Sequence, residues 1–147
     1  MRSEMSSSPR CGRYHLLDQI ANGSGREVWR AFDPRSQSHV AIKRFTSPSR
    51  HPLAGQQLHD EVRAAFEAAV ERGGDALVAL HEIGLDGDCT WVASELLSTP
   101  TLADIQAAGE LTSSRVANLI GVVARVVDAL HDNGFVHTNL KLSNVFI

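Results

Sequence analysis

Short β-type runs dominate the first half of the sequence, and apolar residues spaced by three and four dominate the second. Residues 14–20 and 27–32 are two such runs on either side of Ala21-Asn22-Gly23-Ser24-Gly25-Arg26, which predicts a hairpin with a glycine-bearing tip. Asp33-Pro34-Arg35-Ser36 is a turn signal leading into a third strand over 40–45. After a Pro- and His-containing linker over 46–55, Leu58, Val62, Ala65, Phe66 and Ala69 recur at helical steps, and Gly73-Gly74 ends that helix. Two further strands, 77–83 and 89–97, flank a hairpin turn at Leu85-Asp86-Gly87-Asp88. Residues 99–109 predict a short helix opened by a capping pattern from Thr101 to Asp104. Thr112 or Ser113 then caps a longer helix, in which Val116, Leu119, Ile120, Val123, Val126, Val127 and Leu130 form a broad apolar face before Asn133-Gly134 closes it. Five strands with an inserted helix, followed by mostly helical sequence, make an α+β arrangement.

Composition narrows what such a chain could do. Its 147 residues suffice for one domain, or for one small lobe and part of a second, and 43% apolar content supports a packed core. A formal charge of -3 gives no field that would draw nucleic acid or an anionic membrane, so neither is expected as a partner. The Ser-rich opening, 1–12, reads as a flexible tail and lacks the apolar stretch of a signal peptide. The most apolar region, 116–130, is interrupted by Arg125 and Asp128 and is too short to span a bilayer. Cys11 and Cys89 are too few for a disulfide framework, and no Cys/His cluster suggests zinc, which fits a reducing, cytoplasmic setting.

The segment His137-Thr138-Asn139-Leu140-Lys141-Leu142-Ser143-Asn144 resembles the catalytic loop of the eukaryotic-type (Hanks-type) serine/threonine protein kinases widespread in bacteria. Val40-Ala41-Ile42-Lys43 resembles the same family's lysine strand. The resemblance runs from about residue 14 to the end of the sequence. It implies a kinase-like N-lobe and hinge over 13–97, built from a five-stranded antiparallel sheet plus the family's αC helix. It also implies a partial helical C-lobe over 98–147, carrying αD, αE and the catalytic-loop segment.

The resemblance assigns roles residue by residue. In the family a glycine-rich hairpin covers the nucleotide phosphates, because backbone N–H groups reach phosphate only where no side chain intervenes. Here Ala21 stands at the first glycine, Gly23 at the second and Arg26 at the third. Arg26 places a long cation where close approach is needed, and it could contact a phosphate or block it; read without the family, the tip is an ordinary Asn-Gly turn. Lys43 corresponds to the lysine that pairs the α- and β-phosphates, with Glu61 as its partner on the following helix. The sequence has two lysines, Lys43 and Lys141, against twelve arginines, and both stand at kinase motif positions. Arginine could serve any solvent-facing cationic role, so this usage favours function over a chance surface lysine. Main-chain groups of Glu95 and Leu97 would bind adenine in the hinge, Ser94 would be a small gatekeeper, and Val28, Ala41 and Phe146 would sandwich the base. These apolar residues would serve equally well in a core.

The family's catalytic loop reads H-R-D-L-K-x-x-N, with the aspartate taking the substrate proton, the lysine steadying the γ-phosphate and the asparagine holding magnesium. His137, Leu140, Lys141 and Asn144 match, whereas Thr138 replaces the arginine and Asn139 the catalytic aspartate. An amide cannot act as general base, so phosphoryl transfer should fall by orders of magnitude. The family's D-F-G motif, about a dozen residues beyond the asparagine, would lie past Ile147.

Together these features predict a truncated, catalytically impaired, pseudokinase-like domain with residual ATP binding and weakened use of Mg2+, acting as a binding or regulatory module. The apolar face over 116–130 predicts a protein partner or self-association. The alternatives are an active serine/threonine kinase, or a fragment of one, that compensates for Asn139, and a piece of a longer or decayed gene product with no function of its own.

Overall fold

The computed structural model describes residues 9–147 except 24–25, 47–56, 58, 62, 65–66, 69, 72–75, 88 and 138, and leaves out the side chain of Thr46. It divides into two compact units, one of residues 1–60 and 79–96 and the other of residues 61–78 and 97–147.

The first unit is an antiparallel sheet of six strands: β1 Arg10–Cys11, β2 Tyr14–Gly23, β3 Arg26–Asp33, β4 Ser38–Thr46, β5 Leu80–Asp86 and β6 Cys89–Glu95. Their order is β1-β2-β3-β4-β6-β5, so the chain leaves β4, returns at the edge as β5, and comes back inward as β6 beside β4. The sequence predicts five strands and a tail through residue 12. The structure adds a short strand at the end of that stretch: Cys11 is 1% exposed, Arg10 and Cys11 pair with His15 and Tyr14, and the Gly12 N–H donates to Asp86 Oδ2 at 3.1 Å. A two-residue strand is too short to show an alternating pattern, and a contact 74 residues away fixes it.

One face of the sheet is the core, built from Cys11, Tyr14, Leu16, Ala31, Val40, Ile42, Trp91 and Ala93. These residues fall at alternate positions on each longer strand, which is how a pleated strand delivers side chains to one side. The Trp91 ring lies edge-on to Tyr14, with centroids 5.6 Å apart. Its strand partner is Gly84, and a Cβ on Gly84 would stand 2.0 Å from Trp91 Cζ2, so the indole occupies the space that any side chain at 84 would need.

A polar cluster ties β2, β3 and β5 together. Arg13 donates to both carboxylate oxygens of Asp33, at 3.0 and 3.2 Å, to Glu82, and to Tyr14 Oη at 2.6 Å. The Tyr14 hydroxyl donates to Glu82 at 3.1 Å, and the guanidinium stacks 4.5 Å from the Tyr14 ring centroid. Asp33 is 4% exposed and also accepts the Arg35 N–H. Hydrogen bonding from Arg13 pulls its carboxyl down to about 2, against burial, which pushes the other way.

In the second unit, the described residues between 57 and 71 that belong to it are helical. Helix α1, Leu102–Ala107, carries the full capping box: Thr101 Oγ1 accepts from the Asp104 N–H at 3.2 Å, and Asp104 Oδ2 accepts from the Thr101 N–H at 2.8 Å. Helix α2, Ser113–Asp132, starts at the Thr112 cap and ends in a Schellman arrangement. There Gly134, at φ 80°, bonds His131 O and the Phe135 N–H bonds Leu130 O. Backbone bonds from Leu102 to Val145 and from Ile147 to Pro100 anchor the final residues beside the start of α1. Among the described residues no helix is long and apolar enough to cross a membrane.

Two measurements check this packing. Gly84→Ala should cost about 2 kcal/mol or more in urea unfolding, whereas Gly121→Ala, inside α2 with only Arg125 Nη1 at 3.9 Å, should stabilise by about 0.5–1 kcal/mol. Because the Asp33 carboxyl titrates at about 2 when folded and near 3.8 otherwise, its contribution is fully present above the higher value and is lost as pH falls through the lower one. Asp33→Asn should therefore flatten the acid limb of the stability-against-pH curve in that window.

Candidate functional site

Alternation puts Val40 and Ile42 into the core and therefore turns Ala41 and Lys43 to the opposite face of β4. The cross-strand register then lines up Ala21, Val28, Lys43 and Val92 as one row over β2, β3, β4 and β6. Asp18, Arg30, Ala41 and Ser94 form the next row on the same face. Four residues expected from the sequence to contact nucleotide, Ala21, Val28, Ala41 and Lys43, are thus brought together. Gly23 ends β2 opposite Arg26. Val92 was not singled out by the sequence reading, although its spacing of two from Ser94 in a strand beside Val40-Ala41-Ile42-Lys43 marks it for this face.

Val28, Ala41, Val92 and Ser94 are half-buried, and Lys43 is exposed with Nζ 5.4 Å from the Phe45 ring centroid. Arg30 grips the Asp18 carboxylate with Nε and Nη2, at 3.0 and 2.7 Å, and the guanidinium lowers the carboxyl of Asp18. Glu95, expected in the hinge, has its N–H bonded to Ala79 O at 2.9 Å and its Oε1 accepting the Ala79 N–H at 2.8 Å. Its carbonyl accepts the Ser94 hydroxyl at 3.3 Å.

The remaining expected site residues lie in the second unit. Glu61 is an exposed helical residue and Leu97 is half-buried just beyond β6. Phe146 is 41% exposed and its backbone bridges to Thr101. Asn139, Lys141 and Asn144 form a tight loop: the Asn139 N–H bonds His137 O, the Asn144 N–H bonds Lys141 O at 2.9 Å, and Asn144 Nδ2 donates to Asn139 O at 2.8 Å. Thr138 lies outside the described residues. Leu140, Lys141, Leu142 and Val145 from this loop join α1 and α2 around an apolar groove of about 730 Å³. Ile120 on α2 is 63% exposed there.

A family model described as the protein kinase domain matches residues 14–147. The chain belongs to the protein kinase family. Its curated relatives include the serine/threonine-protein kinase pkn2 of Myxococcus xanthus, 29% identical over 136 residues, which are 92% of this chain and 16% of that protein. Another is the serine/threonine-protein kinase PknD of Mycobacterium tuberculosis, 28% identical over 145 residues, 92% of this chain and 20% of that protein. The chain spans about a fifth or less of the length of these two relatives. The kinase domain of PknI from Mycobacterium tuberculosis shares the fold, with a TM-score of 0.70 at 17% identity, over 97% of this chain and 57% of that one.

Kinases of this family use ATP with magnesium, and the two requirements fit the residues of this chain unequally. The row of small and apolar side chains beside Lys43 leaves a flat face suited to a base and a cation suited to phosphate. The catalytic loop offers a divalent cation the amide oxygen of Asn144, whose nitrogen is already committed to Asn139 O. A neutral amide oxygen is a weak ligand for a hard cation that favours carboxylates. Among the described residues no group of three or more His, Cys, Asp or Glu could hold a metal ion.

Proposed function

We propose that this chain is a catalytically impaired protein-kinase domain that keeps nucleotide binding and serves as a binding or regulatory module in the cytoplasm. The observation that carries the reading is the contrast between the two motifs. Lys43 stands in register on an open sheet face, while the catalytic position is an amide, Asn139, in a loop held by backbone bonds and by the Asn144 side-chain amide. An amide neither accepts the substrate proton nor balances developing positive charge. Thiols kept reduced in the cytosol are consistent with Cys11 and Cys89 being unpaired. The apolar groove along α2 suits a protein partner or a second copy of the chain.

A second reading, an active serine/threonine kinase domain transferring the ATP γ-phosphate to protein, is favoured by one observation. Asn144 still bonds the Asn139 carbonyl, so Lys141 and Asn144 are held in an ordered loop.

Thermal unfolding of the purified chain with and without ATP and magnesium tests nucleotide binding. A ligand at about one hundred times its Kd stabilises the folded state by about 2.7 kcal/mol, a rise of several degrees in Tm. That rise should appear in the native chain and vanish in Lys43→Met. An equal rise in Lys43→Met, or none in a cooperatively folded native chain, removes the ATP site from the account.

A further inference from the structure

We propose that Cys11 and Cys89 are an oxidation-sensitive thiol pair, in which Cys89 takes oxygen from a peroxide beside the Arg44 guanidinium and Cys11 then closes a reversible disulfide tying β1 to β6. The two thiols lie at one corner of the sheet. Asp86 is the cross-strand partner of Cys89, and its Oδ2 accepts the N–H of Gly12, the residue after Cys11. Cys89 lies two residues from Trp91 on the same side of β6, and Trp91 and Cys11 belong to one core cluster. The Trp91 ring also closes on this segment, since a Cβ on Gly12 would stand 2.8 Å from its Cζ2. Cys11 is 1% exposed, whereas Cys89 is partly open to solvent, so a small oxidant reaches Cys89 first.

Arg44 supplies the charge that such chemistry needs. It stands opposite Trp91 and diagonal to Cys89 across β4 and β6, with Nη1 bonded to Glu27 at 2.8 Å and Nε buried without a partner among the described residues. A thiolate or a sulfenate oxygen on Cys89 is an acceptor of the kind that this buried N–H lacks. Burial works against the charge on Arg44, yet Cys89, Cys11 and Glu27 hold its pKa above the usual arginine value. Burial pushes the Cys11 thiol up to about 11 despite the Arg44 charge, so Cys11 keeps its proton and serves as the resolving thiol. In the first step the Cys89 thiolate attacks hydrogen peroxide, the O–O bond breaks, and the departing hydroxide takes a proton from solvent and leaves as water. The Cys11 sulfur then attacks the sulfenic sulfur, the S–O bond breaks, and the Cys11 proton leaves with that hydroxide as a second water. The two thiols are oxidised by two electrons in all and the peroxide is reduced by two. A single bond made and reversed in a reducing compartment is of the redox-sensing kind.

Graded hydrogen peroxide on the folded chain, followed by intact mass and non-reducing peptide mapping, tests this. The native chain should lose two hydrogens and show one Cys11–Cys89 crosslink within the chain, reversed by glutathione. Cys11→Ser should stop at a sulfenic acid on Cys89 that dimedone traps. Arg44→Gln should slow oxidation of Cys89 about tenfold, the equivalent of one pKa unit in the thiolate. No oxidation of Cys89 before the chain unfolds would overturn the proposal and leave both cysteines as core packing. Crosslinks only between chains, a sulfenic acid on Cys89 that persists beside Cys11, or an unchanged rate in Arg44→Gln would overturn it as well.

Discussion

The pleat of β4 is the constraint on which the rest of the sheet depends. Val40 and Ile42 are 1% and 0% exposed in the core, so Ala41 and Lys43 have no choice but the opposite face. A slip of one residue against β3 or β6 would drive the Lys43 ammonium into an apolar interior and expose Ile42, at a cost no local rearrangement could offset. The register is therefore enforced by hydrophobic burial on one side and sets which residues line up on the other. Trp91 reinforces it, because its ring fits only where Gly84 and Gly12 leave no side chain in the way.

The same separation of scaffold from chemistry holds in the catalytic loop. Asn144 Nδ2 bonds the backbone carbonyl of Asn139, and the Asn139 N–H bonds His137 O, so these two bonds use the backbone at 139 and not its side chain. Those two bonds do not depend on whether residue 139 carries an amide or a carboxylate. An asparagine at 139 is therefore compatible with the kinase fold. The sheet answers to packing, and the loop to backbone bonds together with the Asn144 side-chain amide.

Much of this was legible in the sequence because it is local. Alternation exposed the four longer runs that became β2, β3, β4 and β6, the Thr101 to Asp104 spacing marked the capping box of α1, and Asn133-Gly134 marked the end of α2. The motif around Lys43 and the loop from His137 to Asn144 led directly to the family. What escaped depends on long-range contacts. The strand β1 exists because Gly12 reaches Asp86, and Arg13 matters because Glu82 lies 69 residues away. Neither residue carries a periodic signal of its own. Val92 was missed for another reason: an apolar residue in a strand reads as core until the register shows which face it takes.

The most direct test of the central claim is transfer of labelled γ-phosphate from ATP to the chain itself or to a generic Ser/Thr protein substrate, with Lys43→Met run alongside. The account predicts no transfer above the Lys43→Met background, because Asn139 leaves the reaction without its base. Robust transfer that Lys43→Met abolishes would contradict it and make the chain an active kinase domain.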